Sequence, residues 1–190
     1  NCLLDRMESE YKTAYERRLV QEKEFVTKQR LKPYAHASEE FYIANLLSFY
    51  ELYRIVISDS TLLLKNVFED FERIPIVHRV VLFKNFVIKF SMLEWVYLTG
   101  KYFENTNFMA TSFMTCAEIG NIDQWMIKEE NIVRQEAFRT TLTGFADDFL
   151  AIFIPMTKMG KLTEREFYAL VVLSYCDIIR SSSLKKLLKT

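Results

Sequence analysis

The stretch LTEREFYALVVLSYCD, residues 162–177, constrains the fold more than any other part of the sequence. Thr163 is a candidate N-cap, and Glu166 three residues later completes the pattern of a capping box. Over 167–176 the predicted helix has no polar face, since one serine and two tyrosine hydroxyls alone interrupt the apolar run. Such a helix is expected to be surrounded by other helices. We therefore predict a three-layer all-α domain with this helix in the middle layer.

Length and composition agree with a single helical domain. The 190 residues are half apolar and include four glycines and three prolines, which favours long helices over strands and turns. Basic and acidic residues balance at 25 each, so the chain's own charge gives no sign of nucleic-acid binding. Cys2, Cys116 and Cys176 are too scattered for a disulfide framework or a metal site, and they favour a reducing compartment.

Helical spacing recurs along most of the first half of the chain. Residues 3–31 predict an amphipathic helix that Pro33 ends or interrupts. Ser38 is predicted to cap a second helix, which carries apolar residues over 41–56. Within SDST at 58–61, either this helix bends or the aspartate caps a further helix, and the sequence leaves both alternatives open.

A helix is predicted to restart just after Pro75. Residues 80–98 are apolar enough to suggest a membrane span, but Lys84, Lys89 and Glu94 would each cost about 2.5–3.5 kcal/mol near the bilayer centre. We therefore predict no membrane span, but an interior helix whose charges are paired or lie at its ends.

The helical pattern weakens after this segment and then returns. Residues 105–107 predict a turn, with or without a short hairpin around it. Residues 123–153 return to helical spacing, and LKKLLK at 184–189 predicts the start of a further helix.

No catalytic or metal-binding motif is found in the sequence. His36 and His78 share no metal-ligand spacing with a cysteine or a carboxylate pair. Asp147 and Asp148 are interpreted as a solvated helix face, because no third acid follows at a metal-binding interval. The glycines are isolated, and the two internal cysteines lack a nearby base and are interpreted as small hydrophobic residues. We predict that the chain is not an enzyme.

Two sequence blocks carry a family resemblance through their order and spacing. They are VFEDFERIPIVHRVVLFKNFVIKFSMLEWVY at 67–97 and LTEREFYALVVLSYCD at 162–177. Together they resemble the ligand-binding domain of nuclear receptors, most closely the divergent nematode receptors related to hepatocyte nuclear factor four. The first block is similar to the third, fourth and fifth helices of that family, and the second to its eighth helix. Residues 1–37 match only loosely, as a first helix and a variable segment.

The resemblance implies one partial ligand-binding domain over 1–190, a three-layer helical sandwich truncated after the start of the ninth helix. A fragment, a truncated gene product and a naturally shortened receptor are three explanations of that truncation. The resemblance also implies transcriptional regulation in the nucleus, a small lipophilic ligand, homo- or heterodimerisation and LxxLL-type coregulator helices bound in a surface groove. Zinc and DNA contact would belong only to a separate DNA-binding domain, so no cofactor is implied here.

By register, the resemblance assigns two sets of site residues. The ligand cavity is assigned to Leu47, Tyr50, Arg54, Ile57, Ile88, Met92, Trp95 and Leu98. The coregulator groove is assigned to Leu62, Lys65, Asn66, Arg79, Val80, Phe83 and Lys84.

This chain departs from the family pattern in both sets. The clamp lysine of the groove falls on Asn66, so Lys84 is the alternative donor to the carbonyls at the C-terminal end of the peptide. An arginine that often contacts acidic ligands is replaced by Leu98, which leaves Arg54 or Lys101 as substitutes.

A second function hypothesis follows from the size of the cavity residues. Trp95 and Met92 are large enough to fill the cavity themselves. The alternative is therefore a ligand-independent helical protein-interaction or dimerisation module. Packing of these two side chains and Phe90 into the interior would favour it.

Overall fold

The computed structural model describes residues 2–35, 39–104, 106–119, 121 and 161–181. Within these ranges the chain is mostly helical, as predicted, and it also contains a small sheet that the all-α prediction did not include. The helices are α1 Leu3–Gln29, α2 Leu46–Val67, α3 Ile76–Tyr102 and α4 Glu164–Ser181. The strands are β1 Lys32–Tyr34, β2 Phe41–Ile43, β3 Phe108–Ala110 and β4 Thr115–Glu118. A 3-10 turn, Phe71–Arg73, joins α2 to α3.

Helix α2 begins later than predicted, because a different pair of residues caps it. The Asn45 side-chain oxygen accepts the Ser48 backbone N–H at 2.9 Å, and the Ser48 hydroxyl accepts the Asn45 N–H at 2.9 Å. This reciprocal cap satisfies two backbone donors at the helix start. Phe41 lies in β2 instead of in the helix, and Ser38 lies outside the described residues.

The polar run at 58–61 neither breaks nor restarts α2. Ser60 and Thr61 donate their hydroxyls to carbonyls four residues earlier, at 2.7 and 3.1 Å. Asp59 accepts a 2.8 Å hydrogen bond from Arg17 of α1. None of these hydrogen bonds takes a backbone N–H away from the helix, so α2 continues to Val67.

The four strands form one sheet in the order β1-β2-β4-β3. The two outer pairs are antiparallel, whereas β2 and β4 are parallel, with Tyr42 opposite Thr115. β3 and β4 form the short hairpin that the sequence suggested, but its loop is 111–114 instead of 105–107. Thr111 N–H donates to the carbonyl of Thr115 across that loop at 2.8 Å.

The chain forms two compact units. Unit one comprises 1–21, 54–94 and 162–190, and unit two comprises 22–53 and 95–161. Aromatic rings fill the interior of unit one, where Phe68 stacks on Tyr175 with 3.6 Å between ring centroids. Unit two contains the sheet, and its buried rings include Phe41 and Phe103, 4.7 Å apart.

The start of α4 agrees with the prediction, but its surroundings do not. The Glu166 carboxylate accepts the Thr163 N–H at 2.8 Å, and Thr163 Oγ1 accepts the Glu166 N–H at 3.2 Å, which completes the capping box. Phe167 is fully buried, whereas Leu170 is exposed and Leu173 is 61% exposed. The prediction that α4 is enclosed on every side is therefore wrong. The helix has one packed face and one apolar flank toward solvent.

Several sequence-based predictions fall outside the described residues. They concern His36, the helix over 123–153, the pair Asp147 and Asp148, and the helix start at 184–189. Among the helices that are described, none combines the length and the hydropathy of a bilayer crossing.

Candidate functional site

The predicted groove residues lie on the last turns of α2 and the first turns of α3, all in unit one. We call this set the α2–α3 surface. It consists of Leu62, Lys65, Asn66, Arg79, Val80, Phe83 and Lys84.

The α2–α3 surface exposes apolar side chains. Leu62 is 41% and Val80 45% exposed, while Phe83 is half-buried. Ile76 and Val77 on the first turn of α3 are exposed as well, although the family resemblance does not assign them to the groove. The apolar run IVHRVV at the start of α3 is the sequence signal from which these two exposed residues could have been identified. A contiguous apolar patch is typical of an interaction site, and these exposed side chains are the candidates for one.

A short polar network fixes the turn beside this surface. Lys65 Nζ lies 3.1 Å from the Glu72 carboxylate. Arg79 donates to the backbone carbonyls of Glu72 and Ile74, at 3.0 Å each, and its guanidinium lies 5.8 Å from the Phe71 ring centroid. Arg79 is thus committed to the turn, and it holds the start of α3 instead of offering its charge to a ligand.

Asn66 and Lys84, the two clamp candidates, have different surroundings. The Asn66 amide donates to Glu10 of α1 at 2.8 Å, so one of its two N–H groups is already used. Lys84 is exposed and makes no ion pair with any residue in the described part of the chain. A cation placed in this way suits the unpaired carbonyls at a helix C-terminus. Lys84 is therefore the better clamp candidate.

The surface rests on a packed interior. Leu82 and Phe86 point inward from α3 and are fully buried, and the Phe86 ring lies 6.3 Å from that of Tyr175 on α4. Burial raises the pKa of the Tyr175 hydroxyl above its ordinary value. A binding surface built on packed helices is more precisely positioned than one built on loops.

A buried ion pair lies deeper in unit one. Two guanidinium nitrogens of Arg18 contact the two carboxylate oxygens of Glu94 at 2.8 and 2.9 Å, and the Tyr11 hydroxyl donates to the same carboxylate at 2.9 Å. The Arg18 and Glu94 side chains are only 2% and 1% exposed. The prediction that Glu94 is paired is confirmed. The sequence did not identify its partner, because the two residues are 76 positions apart.

The residues assigned to the ligand cavity differ in burial within each unit. In unit two, Trp95 and Leu98 are buried, and Leu47 and Tyr50 are exposed. The Trp95 indole N–H donates to the carbonyl of Thr111 at 3.0 Å, and its ring lies 5.8 Å from that of Phe49.

The remaining cavity residues, in unit one, are mostly accessible. Arg54 and Ile88 are exposed, and Ile57 and Met92 are half-buried. Phe90, which the alternative hypothesis places in the interior, is buried and stacks on Phe86 with 5.6 Å between ring centroids.

Cys116 is buried in β4 of unit two, and burial raises the pKa of its thiol to about 12. A thiol of that acidity stays protonated at neutral pH and is a poor nucleophile. No group of three or more metal-ligating side chains forms in the ranges that the structure describes.

Comparison of the chain with protein-family models, with curated proteins and with solved structures gives no match. The α2–α3 surface is therefore the basis on which a function is assigned.

Proposed function

We propose that this chain is a domain of the nuclear receptor ligand-binding type that regulates transcription in the nucleus by binding an amphipathic coregulator helix at the α2–α3 surface. The single observation that supports it is the exposure of Leu62 and Val80 on two adjoining helices whose inward faces are packed. A three-layer arrangement and contact with DNA through a separate domain belong to the same proposal.

The chemistry of the surface suits a short helix with leucines at positions i, i+3 and i+4. Such leucines form one face of the peptide helix and would cover the apolar side chains of Leu62, Val80 and Phe83. Lys84 would donate to the last carbonyls of the peptide, where a cation complements the helix dipole. Lys65 is shared with Glu72 and is expected to contribute less.

Peptide binding to matched variants tests this proposal. A fluorescein-labelled LxxLL peptide is titrated with the 190-residue chain, and polarisation is measured. We expect Val80→Asp to weaken binding at least about tenfold, because a charge would be buried under the peptide leucines. Leu173→Asp, at an apolar position on α4 that is more exposed than Val80, is the control and should bind like the unchanged chain. Equal loss in both variants, or no binding by the unchanged chain, contradicts the proposal.

Regulation by a small lipophilic ligand is the first form of this proposal, and ligand-independent binding is the second. The packing of Trp95 favours the second form. Its indole N–H is bonded to Thr111, and its ring lies against Phe49, so the bulkiest of the assigned cavity side chains is held in place.

Thermal unfolding distinguishes the two forms. A ligand that binds only the folded chain raises its stability by RT ln(1 + [L]/Kd), about 2.7 kcal/mol at a hundredfold excess over Kd. We expect fatty acids and sterols to leave the melting temperature unchanged. Peptide affinity should be the same with and without these lipids. A lipid that raises both the melting temperature and the peptide affinity supports the ligand-regulated form.

A further inference from the structure

We propose that the helical partner of the α2–α3 surface is acidic, with carboxylate side chains in the turn after its last leucine that pair with Lys84. This inference depends on the proposed function of the same surface, and it names the chemistry of the partner.

Lys84 is a single cation among aliphatic side chains on its own helix. The residues three and four positions away on either side, which are its neighbours on the helix surface, are Val80, Val81, Val87 and Ile88. Val80, Val81 and Ile88 are 45%, 51% and 56% exposed, and Val87 is buried. None of these side chains can pair with an ammonium group, so the neighbouring turns of α3 supply no carboxylate to Lys84.

The two helices that form the surface expose no acid elsewhere in unit one. Residues 76–93 contain neither aspartate nor glutamate. In the part of α2 that belongs to unit one, 54–67, the one acid is Asp59, which is buried and bonded to Arg17. The exposed charges of these two segments are therefore all positive.

Three other cations of the same segments are already bonded. Lys65 and Lys89 each form an ion pair, at 3.1 and 2.7 Å, and Arg79 donates to two backbone carbonyls. Lys84 makes no ion pair with any residue in the described ranges. Lys84 is therefore the cation that an acidic partner would meet.

A partner that covers the aliphatic side chains would also take water away from Lys84. A charge removed from water is costly unless it gains a partner of opposite charge. The ammonium group has three N–H donors, so it can bond the last carbonyls of the docked helix and a carboxylate together. Lys84 lies four residues beyond Val80, about 6 Å along the helix axis. The matching position on the partner is the turn after the leucine that covers Val80.

The number of cations favours a peptide over an anionic membrane as the occupant. Electrostatic binding to a membrane uses clusters of several lysines or arginines. Here Lys65 and Arg79 are bonded within the chain, whereas one carboxylate would be enough to pair with Lys84.

Charge exchange between the chain and a peptide tests the proposal. Three fluorescein-labelled LxxLL peptides differ in the two residues after the last leucine, which are glutamate, glutamine or lysine. Each is titrated with the 190-residue chain at low salt. The glutamate peptide should bind about two- to fivefold more tightly than the glutamine peptide, which is the size of an exposed ion pair. In Lys84→Glu the order should reverse, with the lysine peptide binding most tightly.

Lys28→Glu is the matched control, because it makes the same change in charge at an exposed lysine of α1 outside the surface. Its order of peptide affinities should equal that of the unchanged chain. Lys84→Gln removes the charge without reversing it and should bind the three peptides with nearly equal affinity. High salt should reduce the preference of the unchanged chain, since exposed charges are screened. Circular dichroism of each variant checks that it is folded.

The outcomes separate this inference from the proposed function. If the three peptides bind the unchanged chain equally and Val80→Asp weakens all of them, the acidic partner is overturned and the proposed function stands. A preference for the glutamate peptide that Lys84→Glu does not alter overturns the pairing with Lys84. If no peptide binds, both fail. Sedimentation with phosphatidylserine vesicles that Lys84→Glu abolishes, without any peptide binding, would assign the surface to a membrane and overturn both.

Discussion

Helix α3 contains the most buried charge and some of the most exposed apolar side chains of unit one. Glu94, near one end of that unit's part of the helix, is fully buried and bonded to Arg18 and Tyr11. Val77, near the other end, is 72% exposed. Judged by hydropathy alone, Glu94 would be expected at the surface and Val77 in the interior. The contrast shows that a buried charge needs a fixed partner, whereas the exposed apolar side chains are where the proposed coregulator helix would bind.

The two regions have different roles in the molecule. A buried ion pair gains little net stability over apolar residues of equal size, but it is costly to break, so it holds α1 and α3 in one register. Ile76 and Val77 on the first turn of α3 are exposed, so we expect their truncation to change stability little. Stability should therefore depend on the first region and binding on the second.

Breaking the ion pair gives the largest expected effect. Glu94→Leu leaves the Arg18 guanidinium buried without its carboxylate and should lower the free energy of unfolding by about 3–5 kcal/mol. Urea denaturation followed by circular dichroism measures it. The double variant Arg18→Met/Glu94→Leu should recover most of this loss. A single variant as stable as the unchanged chain would show that the pair is not buried in solution.

The two sides of α4 give a matched pair of variants, the larger of whose expected effects is close to that of breaking the ion pair. Phe167→Ala should lower the free energy of unfolding by about 3–5 kcal/mol, because it empties space in a packed interior. Leu173→Ala should change it by no more than about 0.5 kcal/mol. A large loss in Leu173→Ala would mean that this flank of α4 is covered in solution.

Two tyrosines of unit one should respond in opposite directions to loss of the hydroxyl. Tyr175 is buried, and its hydroxyl has no hydrogen-bond partner among the described residues, so Tyr175→Phe should stabilise the chain by about 1 kcal/mol. Tyr11→Phe removes a bond to the buried Glu94 carboxylate and should destabilise it by about 1–3 kcal/mol. Thermal and urea denaturation measure both changes in stability. Changes of the same sign in the two variants would contradict the hydrogen bonding described for the two hydroxyls.

The capping box of α4 gives the smallest effect, through pH. The backbone N–H and then the hydroxyl of Thr163 hold the pKa of Glu166 below its ordinary value. A lowered carboxyl pKa stabilises the fold above the unfolded value, near 4.5, and this contribution disappears as pH falls through the folded value. The stability difference between the unchanged chain and Glu166→Gln should therefore be constant near pH 7 and vanish in acid. A difference that grows in acid would exclude this cap.

Local signals predicted some of these features and non-local pairing hid the others. The C-terminal end of α1 and the start of α3 followed from Pro33 and Pro75, and the α4 cap from Thr163 and Glu166. The start of α2 was missed although Asn45 and Ser48 had the required spacing. That error came from giving weight to the acidic residues after Ser38.

The sheet and the buried ion pair had no local signature at all. β2 is a three-residue strand whose parallel partner lies far along the chain, so no alternation in a short window could indicate it. The Arg18 and Glu94 pair joins two helices in the same way. Groove residues were assigned through the family resemblance, and their exposure became visible only when both helices were placed.

The parallel pairing of β2 with β4 has a consequence for synthesis of the chain on the ribosome. Tyr42 leaves the ribosome about 70 residues before Thr115, the position to which it is paired. At about 5–20 residues per second, β2 waits roughly 4–14 seconds for that neighbour. During this interval one edge of the nascent β1–β2 hairpin presents unpaired backbone groups, and a chaperone that covers strand edges should improve the yield of folded protein.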